Sequence, residues 1–349
     1  MAPSKHLTAV VAEGGSTVVK EVDVPKLGPG QILVKVVAAA QNPTDWKTAL
    51  WGKRYGSVSG CDFSGVIEEL SSDVPASLRS VGDRVAGIVH GGVYPNGAFA
   101  EYLVVDAERV LHIPDSWSFE DAAQLGVGPY TAVQCLYQSH SFATPLAPTS
   151  TPTPLLIWGG ATSVGQYVIQ FAKLAGLHVI VTVSPKNFDL VKSLGADEVF
   201  DYNDPEVSKK IKLATGGKLA HAVDTISEND TPRQISEALS DDGGRVAALL
   251  FYKSPRPEVS INLTLAYDLL GKSYDFPFPW SPKTDEDRDR GKKFTQLLQQ
   301  IIDTGKIKPN ATLILPQGLA SVAQGFEYQK TGKVSAQKIT YRIADTPRL

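Results

Sequence analysis

Residues 154–175, PLLIWGGATSVGQYVIQFAKLA, constrain the fold of this chain more than any other stretch. A short apolar run, Leu155–Trp158, enters the turn Gly159-Gly160-Ala161-Thr162-Ser163-Val164-Gly165. A helix-period segment follows, with Val164, Val168, Phe171, Leu174 and Ala175 on or near one face. Strand, glycine turn and helix in that order place an anion against the free N–H groups of the helix start. Gly159 and Gly160 allow the turn, and Gly165 allows close packing of helix on strand. From Gly160 to Gly165 the sequence reads G-x-T-x-x-G, without the middle glycine of the usual dinucleotide fingerprint. Gly160, Ala161, Thr162, Ser163, Val164 and Gly165 are the candidate pyrophosphate residues, with the Thr162 hydroxyl as an added donor to phosphate.

The next apolar run, His178–Val183, fits a second parallel strand. It ends at Ser184-Pro185-Lys186-Asn187. This is about 20 residues past the turn, where an NAD enzyme carries an acid for the ribose hydroxyls. No acid is present. Ser184 and Lys186, with Asn187 beside them, suit a 2′-phosphate and favour NADPH over NADH. Ser184 also reads as an N-cap with Pro185 at the first helical position, and the two roles are compatible.

At 349 residues the chain has material for two domains with sizeable cores. Lys and Arg total 34 against 37 Asp and Glu, a net charge of −3, which argues against a nucleic-acid partner. Met1–His6 has no apolar signal core and no apolar run is long enough for a bilayer, so a cytoplasmic protein with no membrane partner is expected. Cys61 and Cys135 are the only cysteines and lie outside any C-x-x-C pattern, so neither a disulfide framework nor a structural zinc lobe is expected. The six histidines are scattered without ligand spacing and read as surface or packing residues.

The front of the chain reads as β-rich. Ile32, Val34 and Val36 alternate with Leu33, Lys35 and Val37, and glycines punctuate runs such as Phe63–Ile67 and Arg84–Val89. Ser118–Leu136 reads as helix, broken by Gly126, Gly128 and Pro129. From Leu155 strands at 155–158, 178–183, 198–200, 220–225 and 244–251 alternate with helices at 164–175, 187–194, 205–215 and 231–240. That pattern is a doubly wound parallel sheet. Gly271–Arg290 reads as an aromatic loop, followed by helix at 292–303, strand at 312–315, helix at 319–330 and strand at 337–343.

Five further segments match a known superfamily: AAAQNPTDWK (38–47), GCDFSGVIEE (60–69), VGDRVAG (81–87), GAFAEYLVV (97–105) and KSLGADEVFDY (192–202). Over almost its full length the chain resembles the medium-chain dehydrogenase/reductase superfamily. The resemblance implies an α/β protein with a GroES-like β-rich catalytic domain, from 1–126 and 286–349, and a Rossmann NADPH-binding domain over 127–285. In zinc-dependent members the metal positions correspond to Asn42, the pair Cys61-Asp62, and a site near Val127. One thiol and one carboxylate do not make a tetrahedral zinc site, so the resemblance is to the zinc-free branch and no metal is expected. The GGAT turn, the SPKNFDLVKSLGADEVFDY segment, the proline-rich loop before Leu155 and the loop SYDFPFPWSPKTDEDRDRG resemble the stand-alone, trans-acting enoyl reductases of fungal polyketide pathways.

That resemblance implies NADPH-dependent reduction of the C=C bond of an enoyl thioester, either as a small molecule or tethered to the carrier protein of a polyketide synthase. A quinone or alkenal reductase, and a weakly catalytic NADPH-binding protein, are the alternatives. Enoyl reduction places negative charge on the thioester oxygen, and needs a donor there and a proton for the α-carbon. Lys47, in the motif that sits beside the nicotinamide in the family, is the leading candidate for either task. Asn42 is a candidate for bonding substrate or the cofactor amide, or a turn opener. Asp45 reads as a helix cap. Thr131, in GVGPYTAVQ, matches a family threonine near the nicotinamide ribose. Tyr130 reads as a proton donor or a core aromatic, and Tyr202 as a neighbour of the adenosine phosphate. Trp51, Tyr55, Phe276, Phe278 and Trp280 are candidates for an acyl tunnel or for satellite packing, with Tyr130 also a pocket candidate.

Overall fold

The structure is a computed structural model and describes residues 2–93, 95–273 and 284–349. Phe276, Phe278 and Trp280 lie outside the described residues. The chain divides into two compact units, 1–127 with 267–349, and 128–266.

The first unit opens with β1 (Lys5–Val11), β2 (Thr17–Asp23), β3 (Gln31–Ala40), α1 (Pro43–Gly52) and β4 (Asp62–Leu70). It continues through β5 (Arg84–Ile88), β6 (Tyr102–Asp106), β7 (Val110–His112) and α2 (Phe119–Ala122). The chain then enters α3 (Val127–Val133) and leaves this unit. The second unit carries β8 (Pro154–Trp158), α4 (Ser163–Leu174), β9 (His178–Thr182), α5 (Phe188–Ser193), β10 (Glu198–Phe200) and α6 (Val207–Ala214). After these come β11 (His221–Asp224), α7 (Thr231–Ala238), β12 (Gly244–Ala248) and β13 (Val259–Leu263). The first unit is completed by α8 (Asp285–Asp303), β14 (Ala311–Ile314), α9 (Val322–Lys330) and β15 (Gln337–Arg342).

In the first unit a seven-stranded sheet runs β14-β15-β3-β4-β5-β7, with β6 also paired to β3, beside the hairpin β1-β2. β3 is buried on both faces over most of its length, so the expected half-buried alternation gives way to a central strand. Its core gathers Ile32, Val34, Phe63, Phe99, Leu103, Phe326 and Tyr341. Both ends of the chain supply this sheet, because β15 pairs antiparallel with β3.

The second unit is a parallel sheet in the order β10-β9-β8-β11-β12-β13. The order reverses between β8 and β11, and ligands of such sheets bind at the carboxyl ends of the strands at that reversal. Helix α4 follows β8 there. Its apolar residues Tyr167, Val168, Ile169, Phe171 and Ala172 are wholly buried.

Three expectations change. Residues 285–290 are helical, because Thr284 caps α8 and Asp287 closes the capping box. The expected break holds at Gly126, which lies between α2 and α3, but not at Gly128 and Pro129; both sit in the first turn of α3, where a missing N–H costs nothing. The strand β13, which pairs with β12, was not among the expected elements.

Candidate functional site

In the second unit the turn after β8 is shaped by missing side chains. Gly159 has φ +83°, which favours glycine. A Cβ on Gly160 would lie 2.2 Å from Val181 Cγ1, and one on Gly165 would lie 2.6 Å from the Gly159 carbonyl oxygen. The turn backbone therefore packs tightly against β9 and the start of α4, and this glycine turn is the candidate cradle. The residues fit a dinucleotide: this cradle lies at the sheet reversal and opens onto a helix start. The first-turn amides of Ser163 and Val164 are the groups that would hold a pyrophosphate.

Thr162 has a different role from the expected phosphate donor. Its hydroxyl accepts from the Gly165 N–H at 2.9 Å and donates to Thr225 Oγ1 at 2.9 Å. Thr225 in turn donates to the Trp158 carbonyl at 2.7 Å. The one hydrogen of Thr162 is thus spent on tying the end of β8 to the end of β11, and the residue is the N-cap of α4.

After β9, Ser184 is half-buried and Lys186 is exposed on a single turn of 3₁₀ helix, Pro185–Asn187. Ser184 sits at the N-cap position without making a capping bond; its hydroxyl instead accepts from Asn187 Nδ2 at 3.3 Å. Tyr202 is exposed. Tyr130 and Thr131 are both buried on α3.

In the first unit α1 presents the AAAQNPTDWK motif. Asn42 is its N-cap, Pro43 its first residue, and Asp45 Oδ2 accepts from the Asn42 N–H at 2.7 Å. Lys47 is half-buried, with its ammonium 5.6 Å from the Trp46 ring centre and 5.8 Å from that of Trp51. These rings face a cation. Trp51 and Tyr55 are about half exposed, so they are surface aromatics of this unit rather than walls of a closed tunnel within it.

The residue that sequence reasoning missed is Lys338. Its ammonium is buried, donates to Asn42 Oδ1, and lies 3.1 Å from Asp62 Oδ2. The other Asp62 oxygen accepts from the Val127 N–H at 2.7 Å. A lysine thus bonds two of the positions that zinc-dependent members use for metal, Asn42 and Asp62, while Asp62 bonds a third at Val127. Burial pushes the Asp62 carboxyl up, and the adjacent ammonium opposes that shift. Two signals were available: an acid inside the otherwise apolar run CDFSGVI, and a lysine at an inward position of β15.

Beside this pair lies a second buried group. Cys61 Sγ is 3.0 Å from Tyr267 Oη, and Tyr267 Oη is 2.7 Å from Thr44 Oγ1. His90 packs on the Tyr267 ring with centroids 3.9 Å apart. Burial lowers His90 to about 3, so the imidazole is neutral. Burial raises Asp45 to about 7 and drives the Cys61 and Tyr267 groups well up. Among the described residues no group of three or more His, Cys, Asp or Glu is placed to hold a metal ion. No helix among them is long and apolar enough to cross a membrane.

Residues 28–115 match the family described as alcohol dehydrogenase GroES-like domain, and residues 163–267 match zinc-binding dehydrogenase. A trans-enoyl reductase of Alternaria alternata is 41% identical over 340 residues, covering 96% of this chain and 98% of its own. One from Aspergillus sclerotiorum is 36% identical, covering 95% and 98%. Among solved structures, an alcohol dehydrogenase superfamily protein from Novosphingobium aromaticivorans aligns with a TM-score of 0.78 at 21% identity, covering 97% of this chain and 99% of its own. The CurK enoyl reductase aligns at 0.75 and 19%, with the same coverage. These two structures share the fold.

Proposed function

The chain belongs to the trans-enoyl reductases of the medium-chain dehydrogenase/reductase superfamily, a nicotinamide-dependent family, and from that premise we propose that it is an NADPH-dependent enoyl reductase. Its substrate is an α,β-unsaturated, polyketide-type acyl thioester carried by a polyketide synthase. The observation that carries this reading is the near-full-length similarity to trans-enoyl reductases, joined to a lysine placed on α1 in the family's nicotinamide-side motif.

The bound nicotinamide supplies a hydride to the β-carbon. This chain's residues supply everything around that event. The α4 start and the glycine cradle hold the pyrophosphate. Ser184 and Lys186 receive the 2′-phosphate, a charge-assisted contact that NADH lacks. The Lys47 ammonium, half-buried between two indoles, holds the enolate oxygen or the acyl carrier arm. Lys338 balances the buried Asp62 charge at the positions that hold metal in zinc-dependent members.

The test is NADPH oxidation with three matched acceptors: a crotonyl thioester, a free enal and a quinone. Thioester turnover at the highest kcat/KM supports the proposal. Preference for the quinone or the enal makes the protein a reductase of small free acceptors, and no turnover with any of them makes it a nucleotide-binding protein.

A further inference from the structure

The sheet of the second unit runs β9-β8-β11-β12 through its centre. A dinucleotide held as proposed above has its 2′-phosphate beyond β9 and its pyrophosphate at the start of α4, which sends its nicotinamide half toward the carboxyl ends of β11 and β12. The loop between β11 and α7, residues 225–230, stands at that end. We propose that this loop is a preset ledge for the nicotinamide half of the cofactor, that Asp224 is the positioning residue that fixes it, and that Ile226 is the side chain it presents; this rests on the cofactor reading above.

Asp224 is wholly buried, and both of its carboxylate oxygens are bonded. Oδ1 accepts from the Ile226 N–H at 3.0 Å and from the Ser227 N–H at 2.8 Å. Oδ2 accepts from the Thr231 hydroxyl at 2.8 Å. One side chain therefore holds the loop at its entry and at the first residue of α7. Two hydroxyls tie the loop to the neighbouring strands. Thr225 Oγ1 donates to the Trp158 carbonyl of β8 at 2.7 Å and accepts from Thr162. Ser227 Oγ donates to the Asp224 carbonyl at 3.0 Å and accepts at 2.9 Å from the N–H of Leu249, just past β12. The ends of β8, β11 and β12 are thereby joined through side chains, at the end of the sheet where ligands bind.

Within that frame Ser227 and Asn229 have φ of +57° and +58°, the left-handed region that disfavours side chains. Such conformations persist where surrounding bonds over-determine them, and they concentrate where ligands are clamped. At Ser227 the bonds to Asp224 and Leu249 do this. The same frame places Ile226. A Cβ on Gly159 would lie 2.7 Å from Thr225 Oγ1 and 2.8 Å from Ile226 Cγ1, so the loop packs directly against the turn that begins the cradle. Ile226 is partly exposed there while its N–H is bound to Asp224. An apolar side chain on a locked backbone suits the uncharged ring of the reduced nicotinamide, not a phosphate. A loop already fixed needs no further ordering when the cofactor arrives, which favours binding.

The experiment titrates two ligands, NADPH and adenosine 2′,5′-bisphosphate, which lacks the nicotinamide half, into variants of the full chain. Thr225→Val and Ile226→Ala are expected to raise the Kd for NADPH about 10-fold and to leave the bisphosphate within about twofold of wild type. Asp224→Ala is expected to raise the Kd for NADPH on the order of 10²-fold, again without a matching loss of the bisphosphate. Asp224→Asn keeps an acceptor for the two N–H groups and Thr225→Ser keeps the hydroxyl, so each is expected to recover most of the loss. Hydrogen exchange without cofactor reads the ledge itself. The Ile226 and Ser227 amides are expected to be protected in the wild type and to exchange faster in Asp224→Ala and Thr225→Val. If Asp224→Ala does not fold, Thr225→Val and Ile226→Ala decide. Equal loss of both ligands, unchanged NADPH affinity in folded Thr225→Val and Ile226→Ala, or unprotected amides in the wild type would each overturn the proposal. Turnover plays no part in these titrations. A wild type that binds NADPH yet leaves the crotonyl thioester unreduced counts against the enoyl reductase reading, and the same titrations still uphold or overturn the ledge.

Discussion

In the second unit the candidate cofactor cradle is made of backbone amides and absent side chains, while in the first unit the buried site is made of charged and exchangeable side chains. The cradle lies within one contiguous stretch, from Gly159 to Gly165, and a short motif describes it. The charged site joins Asn42, Asp62 and Lys338, so 296 residues separate two of its hydrogen-bonding partners. Removing an atom group from the cradle changes little, because little is there; adding a methyl collides. The reverse holds in the charged site. Taking away one partner leaves the other buried without its counter-charge, which costs far more than either contact contributes alone. Shape governs one unit and charge balance the other.

The sharpest way to break this comparison is Lys338→Met. It should destabilise the protein by about 3–5 kcal/mol, as expected when one partner of a buried pair is lost. The double substitution Asp62→Asn with Lys338→Met should recover most of that loss. Urea unfolding of the three variants checks both, and a single variant as stable as wild type would mean that the pair is not a charge-balanced unit. Next in size, Lys47→Ala should lower kcat on the order of 10²-fold while NADPH affinity barely moves. Steady-state kinetics beside a fluorescence titration of NADPH separates the two quantities. If only KM for tethered substrates rises, Lys47 holds the carrier arm.

In the second unit, Lys186→Ala should cost roughly 1.5–3 kcal/mol of NADPH binding and leave NADH unchanged. Equal loss for both cofactors in a calorimetric titration would remove the 2′-phosphate assignment. A further effect is a slope with pH. Asp45 holds its proton more tightly folded, at about 7, than its ordinary value of 3.8. Folding stability from this group is therefore present at low pH and is lost as pH rises from about 4 to about 7. His6, His90 and His140 act with the opposite sign, since burial lowers them to about 4, 3 and 3 from 6.5. They favour folding above pH 6.5, and that contribution is lost as pH falls toward 4. The Asp45→Asn variant should gain stability over wild type as pH rises through that window, by up to about 1.4 kcal/mol per pH unit. Parallel melting curves across pH would contradict this.

The contrast also explains what could be read from the sequence. The parallel sheet was legible because apolar runs, glycines and helix periods are local signals, as at Leu155–Trp158 and Val168–Leu174. Asn42, Lys47 and the α1 start were legible through a short motif. The bonds of Thr162 were not legible because one hydroxyl fits a phosphate or a helix cap, and its bond to Thr225 joins residues 63 apart in the chain. Lys338, Tyr267 and His90 stayed hidden because each becomes meaningful through partners far away in the chain. A lysine in QKITYR looks like any strand lysine until β15 is laid against β3.

The pairing of β15 with β3 has a consequence for the order of assembly on the ribosome. Residues 128–266 are contiguous and can close their sheet once they have emerged. Asp62 emerges early, yet its cation arrives only with Lys338 in β15, 276 residues later. Until then the first unit holds a carboxyl that cannot be buried in charged form. Burial of Asp62 as a charged carboxylate in that unit therefore depends on a strand that emerges after the whole second unit. A nascent chain stalled before residue 337 should show protease resistance confined to residues 128–266.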